Sequence, residues 1–391
     1  MSAAATPGAI VVGGDYQGLG IIRSLGRKGI PTCVVDDERS VGSFSRYATH
    51  SLHVADLRDP EAAVEATLLA ARRFGLDGWV LFPTRDEHVA TFALERERLG
   101  QVLRVPTPEW EVVKWACDKR NTYARAEELD IPTPRTWRLE AAAQLDEVEG
   151  EPPWVVKPAI KDTFVHETKE KAWRANSRDE LRRLVERAAE LVGPGEVIVQ
   201  ELIPGGGESQ YAYCALFRDG EPLASMVAQR RRQHPLEFGR ASTYVRTVEL
   251  ETLEELACRF LRSIGYYGLV ELEFKLDPRD GRAKLLDVNA RTWGYHTLGS
   301  CAGVDFPYLL YLEQIGEPVP TARAIAGRSW VRLVTDLPTG VLEIFSRRTR
   351  LRDYIWTLRT SDTEAVFARD DLLPGFVELA LIPYLAVRRG F

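Results

Sequence analysis

The acids between residues 268 and 291 stand in a pattern that suits a hard metal ion. Gly268 to Leu276 and Ala283 to Arg291 read as two strands around the turn Asp277-Pro278-Arg279-Asp280-Gly281-Arg282. A turn centred near Asp280 sets Glu273 opposite Asp287 and Glu271 opposite Asn289. Side chains alternate by face along a strand. One face therefore carries Glu271, Glu273, Asp287, Asn289 and Arg291, and the other carries Val270, Leu272, Phe274, Leu286, Val288 and Ala290, a core face. Like charges directly opposite across strands are destabilising, so the pair Glu273 and Asp287 needs a partner. Two readings supply one. Two carboxylates and an amide oxygen are Mg²⁺ ligands, with waters and substrate phosphates completing the shell. Alternatively, the acids lie on a solvated face and pair with Lys275 and Arg291.

A hard-metal site implies a phosphate ligand and cations to meet it. Lys157 ends the apolar run Trp154-Val155-Val156 and precedes Pro158, so it emerges at a strand end. Lys119, in Cys117-Asp118-Lys119-Arg120, lies on a helix before a proline break. An ammonium is a compact point charge suited to phosphate oxygens, although most single lysines are solvated surface groups. The other concentrated positive patch is Gln229-Arg230-Arg231-Arg232-Gln233-His234-Pro235, followed by Gly239-Arg240-Ala241-Ser242-Thr243. It reads as an exposed basic loop or as an arginine fork for a carboxylate or phosphoryl oxygen. Its small extent and the net charge of −6 weigh against nucleic acid.

A glycine turn, Gly13 to Gly20, follows the strand Ala9-Ile10-Val11-Val12, where backbone N–H groups can meet a phosphate. Asp36 or Asp37 stands about twenty residues on, where a ribose-binding acid sits in nicotinamide enzymes. Asp15, however, occupies the second-glycine position and repels a pyrophosphate. The turn reads best as a means of packing helix on sheet.

These residues need a frame, and the chain is long enough to build one. It has 391 residues, 45% hydrophobic and 28% charged. Such a composition excludes a disordered chain, a collagen-like chain and a disulfide-stapled mini-protein, and 51 basic against 57 acidic residues exclude a general polyanion binder. The five cysteines (33, 117, 214, 258, 301) lack metal or disulfide spacing, which fits a reducing compartment. With no signal-peptide layout at the start, the expectation is a cytoplasmic protein.

Strands alternate with helices through the first hundred residues, which argues a parallel sheet covered on both faces. Glu109 to Leu129 reads as one helix, ended by Asp130-Ile131-Pro132-Thr133-Pro134. Short strands follow from Trp154, and Gln210 to Ala228 reads as two strands joined at Arg218 to Glu221. The last seventy residues carry few motifs. Their apolar run from Leu372 is broken by Glu378 and Pro383, short of the ~20 residues a membrane-spanning helix needs.

In this order the motifs resemble the ATP-grasp superfamily. The residues that carry the resemblance are Asp118-Lys119, Ile131-Pro132-Thr133-Pro134, Val155-Val156-Lys157-Pro158, Val199-Gln200-Glu201-Leu202-Ile203-Pro204-Gly205, Glu271-Leu272-Glu273-Phe274 and Leu286-Asp287-Val288-Asn289-Ala290-Arg291. They cover approximately residues 1 to 315, and the carboxylate–amine ligases that resemble D-aspartate ligase are nearest in look. The resemblance implies an α/β chain: a Rossmann-like pre-ATP-grasp domain (1–112), an ATP-grasp domain (113–320) with a lid subdomain at about 135–202, and a C-terminal extension (321–391). Its two α+β subdomains clamp ATP with one or two Mg²⁺ ions, Mn²⁺ being a substitute.

Carried over residue by residue, the resemblance makes Lys119 and Lys157 phosphate contacts. Gln200, Glu201, Leu202 and Ile203 become the hinge, the backbone of Glu201 and Ile203 reading the adenine edge. Glu208 matches the acid that holds the ribose hydroxyls. Glu273, Asp287 and Asn289 become the magnesium ligands, with Asp287 where relatives more often carry Glu. Arg291 faces the transferring phosphate or acyl phosphate, and Arg232 borders the acyl-phosphate and acceptor sites, with His234 as a candidate base. Relatives have a glycine-rich lid loop where this chain reads Ala159 to Trp173 without glycine. Lys161, Lys169 or Lys171 then supplies charge, and Lys171 is the choice.

The implied reaction joins a small carboxylate to an amine, both amino-acid-like, through an acyl phosphate. Asp15, Thr84, Arg85 and Asp86 of the first domain help choose the carboxylate. A kinase using the same nucleotide site, a nicotinamide oxidoreductase and a non-catalytic nucleotide-binding module are the rivals. No nucleic-acid partner and no stable membrane insertion are expected, and a homodimer is compatible with the chain. The tail Pro374 to Phe391 docks on the core, forms a subunit contact or touches a membrane surface.

Overall fold

The computed structural model describes residues 6–139, 142–160, 162–239 and 241–389, in three sheets. In the first, β1 (Ala9–Val12), β2 (Thr32–Asp36), β3 (His50–His53) and β4 (Val80–Pro83) run parallel in the order β3-β2-β1-β4. Every residue of β1, β2 and β4 is buried, as a parallel sheet covered on both faces requires. The edge strand β3 escapes a pattern reading because only Leu52 in His-Ser-Leu-His is apolar and buried. Because β1 lies between β2 and β4, the loops after β1 and β4 part at the carboxyl edge of the sheet. Open α/β sheets characteristically bind ligands at such a crevice.

The second sheet is small and antiparallel: β5 (Thr136–Leu139), β6 (Trp154–Pro158), β7 (Trp173–Ala175) and β8 (Val197–Glu201), in the order β5-β8-β6-β7. The helix Arg178–Val192 buries Leu181, Val185 and Ala188 against it. Ser177 starts that helix by accepting the Glu180 N–H.

The third sheet forms the centre. Its long strands are β9 (Gln210–Arg218), β10 (Glu221–His234), β11 (Ala241–Val248), β12 (Gly268–Leu276) and β13 (Ala283–Asn289). Short strands β14 (Ala322–Arg323), β15 (Ser329–Val331) and β16 (Thr363–Glu364) join it, giving β13-β12-β9-β10-β11-β15-β16 with β14 beside β10. Cys214, Leu216 and Met226 of one face share a core with Val11, Leu19 and Ile22 of the first domain. From the other face, Val270, Leu272 and Phe274 pack with residues of the helices Trp110–Cys117 and Glu251–Ser263.

The expected helix Glu109 to Leu129 is two helices, Trp110–Cys117 and Lys119–Glu128. Asp118 between them is extended, and its carboxylate accepts the Arg120 N–H at 2.9 Å, capping the second helix. At the far end Pro383 does not break the chain. It sits inside the helix Leu373–Arg389. Among the described residues, no helix is long and apolar enough to cross a membrane.

The last segment is wired into the first domain by charge. Buried Asp371 accepts from Arg23 Nε at 2.9 Å, Ser45 Oγ at 2.7 Å and the Arg46 N–H at 3.0 Å. Its neighbour Asp370 pairs with Arg27 at 2.7 Å, but both of those side chains are more than 40% exposed. Removing one member of a buried pair leaves an uncompensated charge, whereas an exposed pair contributes little. Asp371→Ala is therefore expected to cost about 3 kcal/mol in urea denaturation and Asp370→Ala less than about 1 kcal/mol.

Candidate functional site

The carboxylate hairpin forms in the expected register: Glu271 pairs with Asn289 and Glu273 with Asp287. A bulge follows, so Phe274 pairs with Leu285 rather than Leu286. This corrects the expected core face. Leu285 is buried with Phe274 and Val288, while Leu286 lines the cleft and its carbonyl accepts the Tyr123 hydroxyl at 2.7 Å. A β-bulge adds one residue to one strand and re-aims those around it.

The acids are met by cations from three other elements. Lys119, first residue of its helix, places Nζ 3.0 Å from Asp287 Oδ1. Its backbone N–H donates to Ala159 O at 3.1 Å, joining the helix to the chain leaving β6. Arg230 of β10 reaches over β9 to Glu273 Oε1 at 3.2 Å. The residue paired with Glu273 on β9 is Ala212, small enough to leave that path open. Burial works against the charge on Arg230, but Glu273 holds its pKa above the ordinary value. Lys157, at the end of β6, donates to the Tyr123 hydroxyl at 2.8 Å. Burial first, and then the charge of Lys119, lower its pKa to about 7.

Behind these, buried Glu271 accepts from Tyr295 Oη at 2.5 Å and from Asn289 Nδ2 at 3.1 Å. Burial and the charge of Glu273 push its pKa up. Asn289 Nδ2 also donates to Glu273 Oε1 at 3.2 Å. No cluster of three His, Cys, Asp or Glu side chains in metal-holding array occurs among the described residues. The available donor set is the opposed pair Glu273 and Asp287 with the Asn289 amide. Hard oxygen donors of this kind fit Mg²⁺, and both carboxylates now lean on cations.

One cleft between the small sheet and the central sheet collects most of the expected residues: Lys119, Lys157, Lys171, Gln200 to Ile203, Glu273 and Asp287. Val155, Leu202, Ile203, Phe238 and Leu286 give it an apolar lining. The Glu201 carboxylate faces away from the cleft's lysines, toward Arg279 at 2.8 Å, Lys284 at 3.3 Å and the Arg135 N–H at 2.9 Å. Past Ile203 the cleft opens into a hollow of 1080 Å³, where the Glu208 carboxylate accepts the Gly206 N–H at 3.1 Å. Lys169 does not line the cleft; its Nζ donates to His166 O at 2.7 Å. Lys161 and Arg240 lie outside the described residues.

Two basic residues are placed differently from expectation. Irregular pairing of β10 between Arg230 and Gln233 separates the arginines of the run. Arg232 makes a buried, two-pronged pair with Asp336 (2.9 and 2.8 Å), its guanidinium 4.4 and 4.9 Å from the rings of Tyr244 and Tyr354. It anchors the C-terminal segment, and Arg230 is the arginine that meets the acids. Arg291 forms a two-pronged pair with Asp86 of the first domain, both contacts at 3.0 Å. Of the other candidates, His234 lies 3.3 Å from Thr339 Oγ1, outside both hollows.

The first glycine turn is closed to a dinucleotide. Asp15 Oδ1 accepts the N–H groups of Gln17 (3.1 Å) and Gly18 (3.4 Å), the donors a pyrophosphate needs. Asp36 accepts the Gly14 N–H at 2.6 Å and, with Asp37, pairs with Arg85 at 2.9 Å.

Comparison with known proteins bears on the fold that carries this site. Residues 223–312 match the family model of the carbamoyl-phosphate synthase L chain, ATP-binding domain. Over 300 residues the chain is 23% identical to D-aspartate ligase of Enterococcus faecium, covering 72% of this chain and 70% of that one. Its fold resembles the biotin carboxylase domain of Hydrogenobacter thermophilus 2-oxoglutarate carboxylase, solved with MgADP and bicarbonate (TM-score 0.65, 15% identity, 82% and 73% covered). It also resembles L-amino acid ligase of Bacillus licheniformis (TM-score 0.61, 17% identity, 79% and 74% covered). The chain has the ATP-grasp fold. The small sheet and the hairpin β12–β13 face each other across the cleft.

The low pKa of Lys157 has a testable sign. Its folded value of about 7 lies below the ordinary 10.5, so between these values the unfolded chain binds the extra proton. Stability then rises with pH across that window. In metal-free, nucleotide-free buffer, wild type is expected to gain stability relative to Lys157→Met from pH 7 toward pH 10, followed by chemical denaturation, with no such gain below pH 6.

Proposed function

We propose that the protein is an ATP-dependent carboxylate–amine ligase with small, amino-acid-like substrates. The observation that carries this reading is the meeting of Lys119, Lys157, Lys171 and Arg230 with Glu273 and Asp287 in one cleft floored by the carboxylate hairpin. Similarity to proteins named D-aspartate ligase and L-amino acid ligase supports it.

In this reading the adenine lies in the apolar slot between Val155 and Leu286, its edge read by the backbone of Glu201 and Ile203. Pro204 has no N–H, so the donor falls to Ile203. Gln200 and Leu202 complete the hinge, and Glu208 leaves the Gly206 N–H to hold the ribose. Glu273, Asp287 and Asn289 would hold Mg²⁺, with Mn²⁺ as a substitute, which supplies charge neutralisation at the phosphates. Lys119 and Lys157 fix the phosphate oxygens, and Lys171 closes over them from the lid.

The substrate carboxylate attacks the γ-phosphorus, the bond to the β-phosphate oxygen breaks, and ADP leaves. The amine nitrogen then attacks the acyl carbon, phosphate departs with the bonding electron pair, and the nitrogen loses a proton. Charge develops on the γ-phosphoryl oxygens in the first step and on the acyl oxygen in the second. Arg230, fixed by Glu273 and by Gln210 Oε1 at 3.1 Å, would be a pre-oriented donor for these charges. It takes the part first expected of Arg232. Arg291 exchanges Asp86 for a substrate oxygen. No side-chain nucleophile is needed, and the lid's task is to keep water from the acyl phosphate.

A screen of amino acids in pairs, read by phosphate release and product mass, tests the reaction. Free phosphate is expected only when both an acid and an amine are present, and a phosphorylated product without free phosphate points to a kinase instead. Glu273→Gln should abolish turnover. Arg230→Met should lower kcat about 10²-fold or more, while Arg232→Met should act mainly on stability. Full activity in Glu273→Gln refutes the metal assignment.

A further inference from the structure

The C-terminal helices are folded inside out. In the helix Leu333–Phe345 the buried residues are Thr335, Asp336, Thr339 and Gly340. Leu337, Val341, Leu342 and Phe345 face outward, Phe345 at 83% exposure. At 100° per residue these four span one arc opposite the buried one. The next helix, Leu351–Arg359, buries Tyr354 and exposes Leu351, Ile355 and Trp356, the last at 63%. The helix Leu373–Arg389 buries Glu378 along with Leu385 and exposes Phe376, Leu379 and Ile382. Twelve of the seventeen large apolar side chains exposed among the described residues lie between Leu337 and Ile382. Apolar surface gathered in this way marks an interaction site.

The charge beside it says what kind. Between Phe345 and Arg359 the chain carries Arg347, Arg348, Arg350, Arg352 and Arg359 against a single acid, Asp353, although the whole chain is at −6. Arg347, Arg348, Arg350 and Arg359 make no ion pair among the described residues. On the second helix Arg352 and Arg359 fall in the same arc as Leu351, Ile355 and Trp356. Arginine stems in that position lie along an apolar surface while the guanidinium reaches a polar layer. Tryptophan prefers the same boundary.

We propose that the helical hairpin Leu333–Arg359 docks on the surface of an anionic phospholipid bilayer, lying in its plane without crossing it. A second copy of the chain fits less well. A two-fold contact through this face sets the arginine-rich hairpin against its own copy, and Glu343 and Asp353, the acids not buried with Arg232, do not neutralise five arginines. The hairpin's turn also walls the 1080 Å³ hollow beyond the nucleotide hinge, so docking sets the mouth of that hollow beside the membrane.

Vesicle co-sedimentation of the full chain tests this, with phosphatidylcholine vesicles alone or mixed with phosphatidylglycerol. Binding is expected to the mixed vesicles and to be at least about tenfold weaker to phosphatidylcholine alone. Tryptophan emission should shift to the blue on binding, and Trp356→Phe should remove much of that shift. The exposed double variant Leu342→Ser/Phe345→Ser should keep its circular dichroism and melting temperature but bind about tenfold more weakly. Arg347→Glu/Arg348→Glu should weaken binding by at least as much and reduce its salt dependence. Failure to sediment with the mixed vesicles, or equal binding to both kinds, overturns the proposal. So does a dimer in light scattering that Leu342→Ser/Phe345→Ser converts to monomer, which assigns the face to a second copy.

Discussion

Two carboxylates opposed across neighbouring strands are the constraint around which the centre of this molecule is arranged. Glu273 and Asp287 cannot share the β12–β13 rung in a low-dielectric setting without positive charge close by. Each draws its cation from a distant part of the chain: Lys119 from the helix that leads into the small sheet, Arg230 from β10. Lys157 stands beside Lys119 on the small sheet and loses much of its hold on a proton through burial first and then through that neighbour's charge. The balance therefore ties β13 to the helix Lys119–Glu128 and β12 to β10. It also leaves a site whose cations bind carboxylates now and suit phosphate oxygens equally well.

The first domain uses the same device to opposite effect. Asp15 closes the N-terminus of the helix Tyr16–Gly26, and Arg85 spans Asp36 and Asp37, so the usual anion cradle of such a sheet is filled by the chain's own carboxylates. What the carboxyl edge of that sheet offers instead is Asp86, gripping Arg291 at the end of the hairpin. This pair, together with Gln17 Nε2 donating to Thr292 O, ties the end of the hairpin to the topological switch point. Arg291 is thus oriented by a carboxylate at that crevice.

How much of this was legible in the residues depends on which periodicities survive folding. The hairpin was legible because period-two alternation and a short turn fix register wherever one face is buried, and Glu273 did meet Asp287. The bulge beyond them was not, because an inserted residue leaves no mark in an alternating pattern; Leu286 was assigned to the core for that reason. The same limit separated Arg230 from Arg232. In three consecutive arginines only the pairing of β10 with its neighbours decides which one faces the acids, and that pairing is irregular there. The break at Asp118 was marked by a capping residue, but the apolar spacing on either side hid it.

The C-terminal segment was illegible for a different reason. Pattern reading assumes that the apolar face of a helix turns inward, and here the inward faces carry Asp336 and Glu378, with Asp371 buried just ahead of the last helix. Each is met by an arginine: Arg232 from β10, Arg23 from the first helix, and Arg332, whose guanidinium also lies 4.0 Å over the ring of Tyr16. Hydrophobic packing tolerates rotation of a helix about its axis, since one aliphatic contact substitutes for another. A buried carboxylate does not, because turning it away from its guanidinium strands both charges. Three such pairs set the rotation of the segment as well as its position. The outward display of leucine, phenylalanine and tryptophan is thus held in place by buried charge, and a face held at that cost is a face with something to bind.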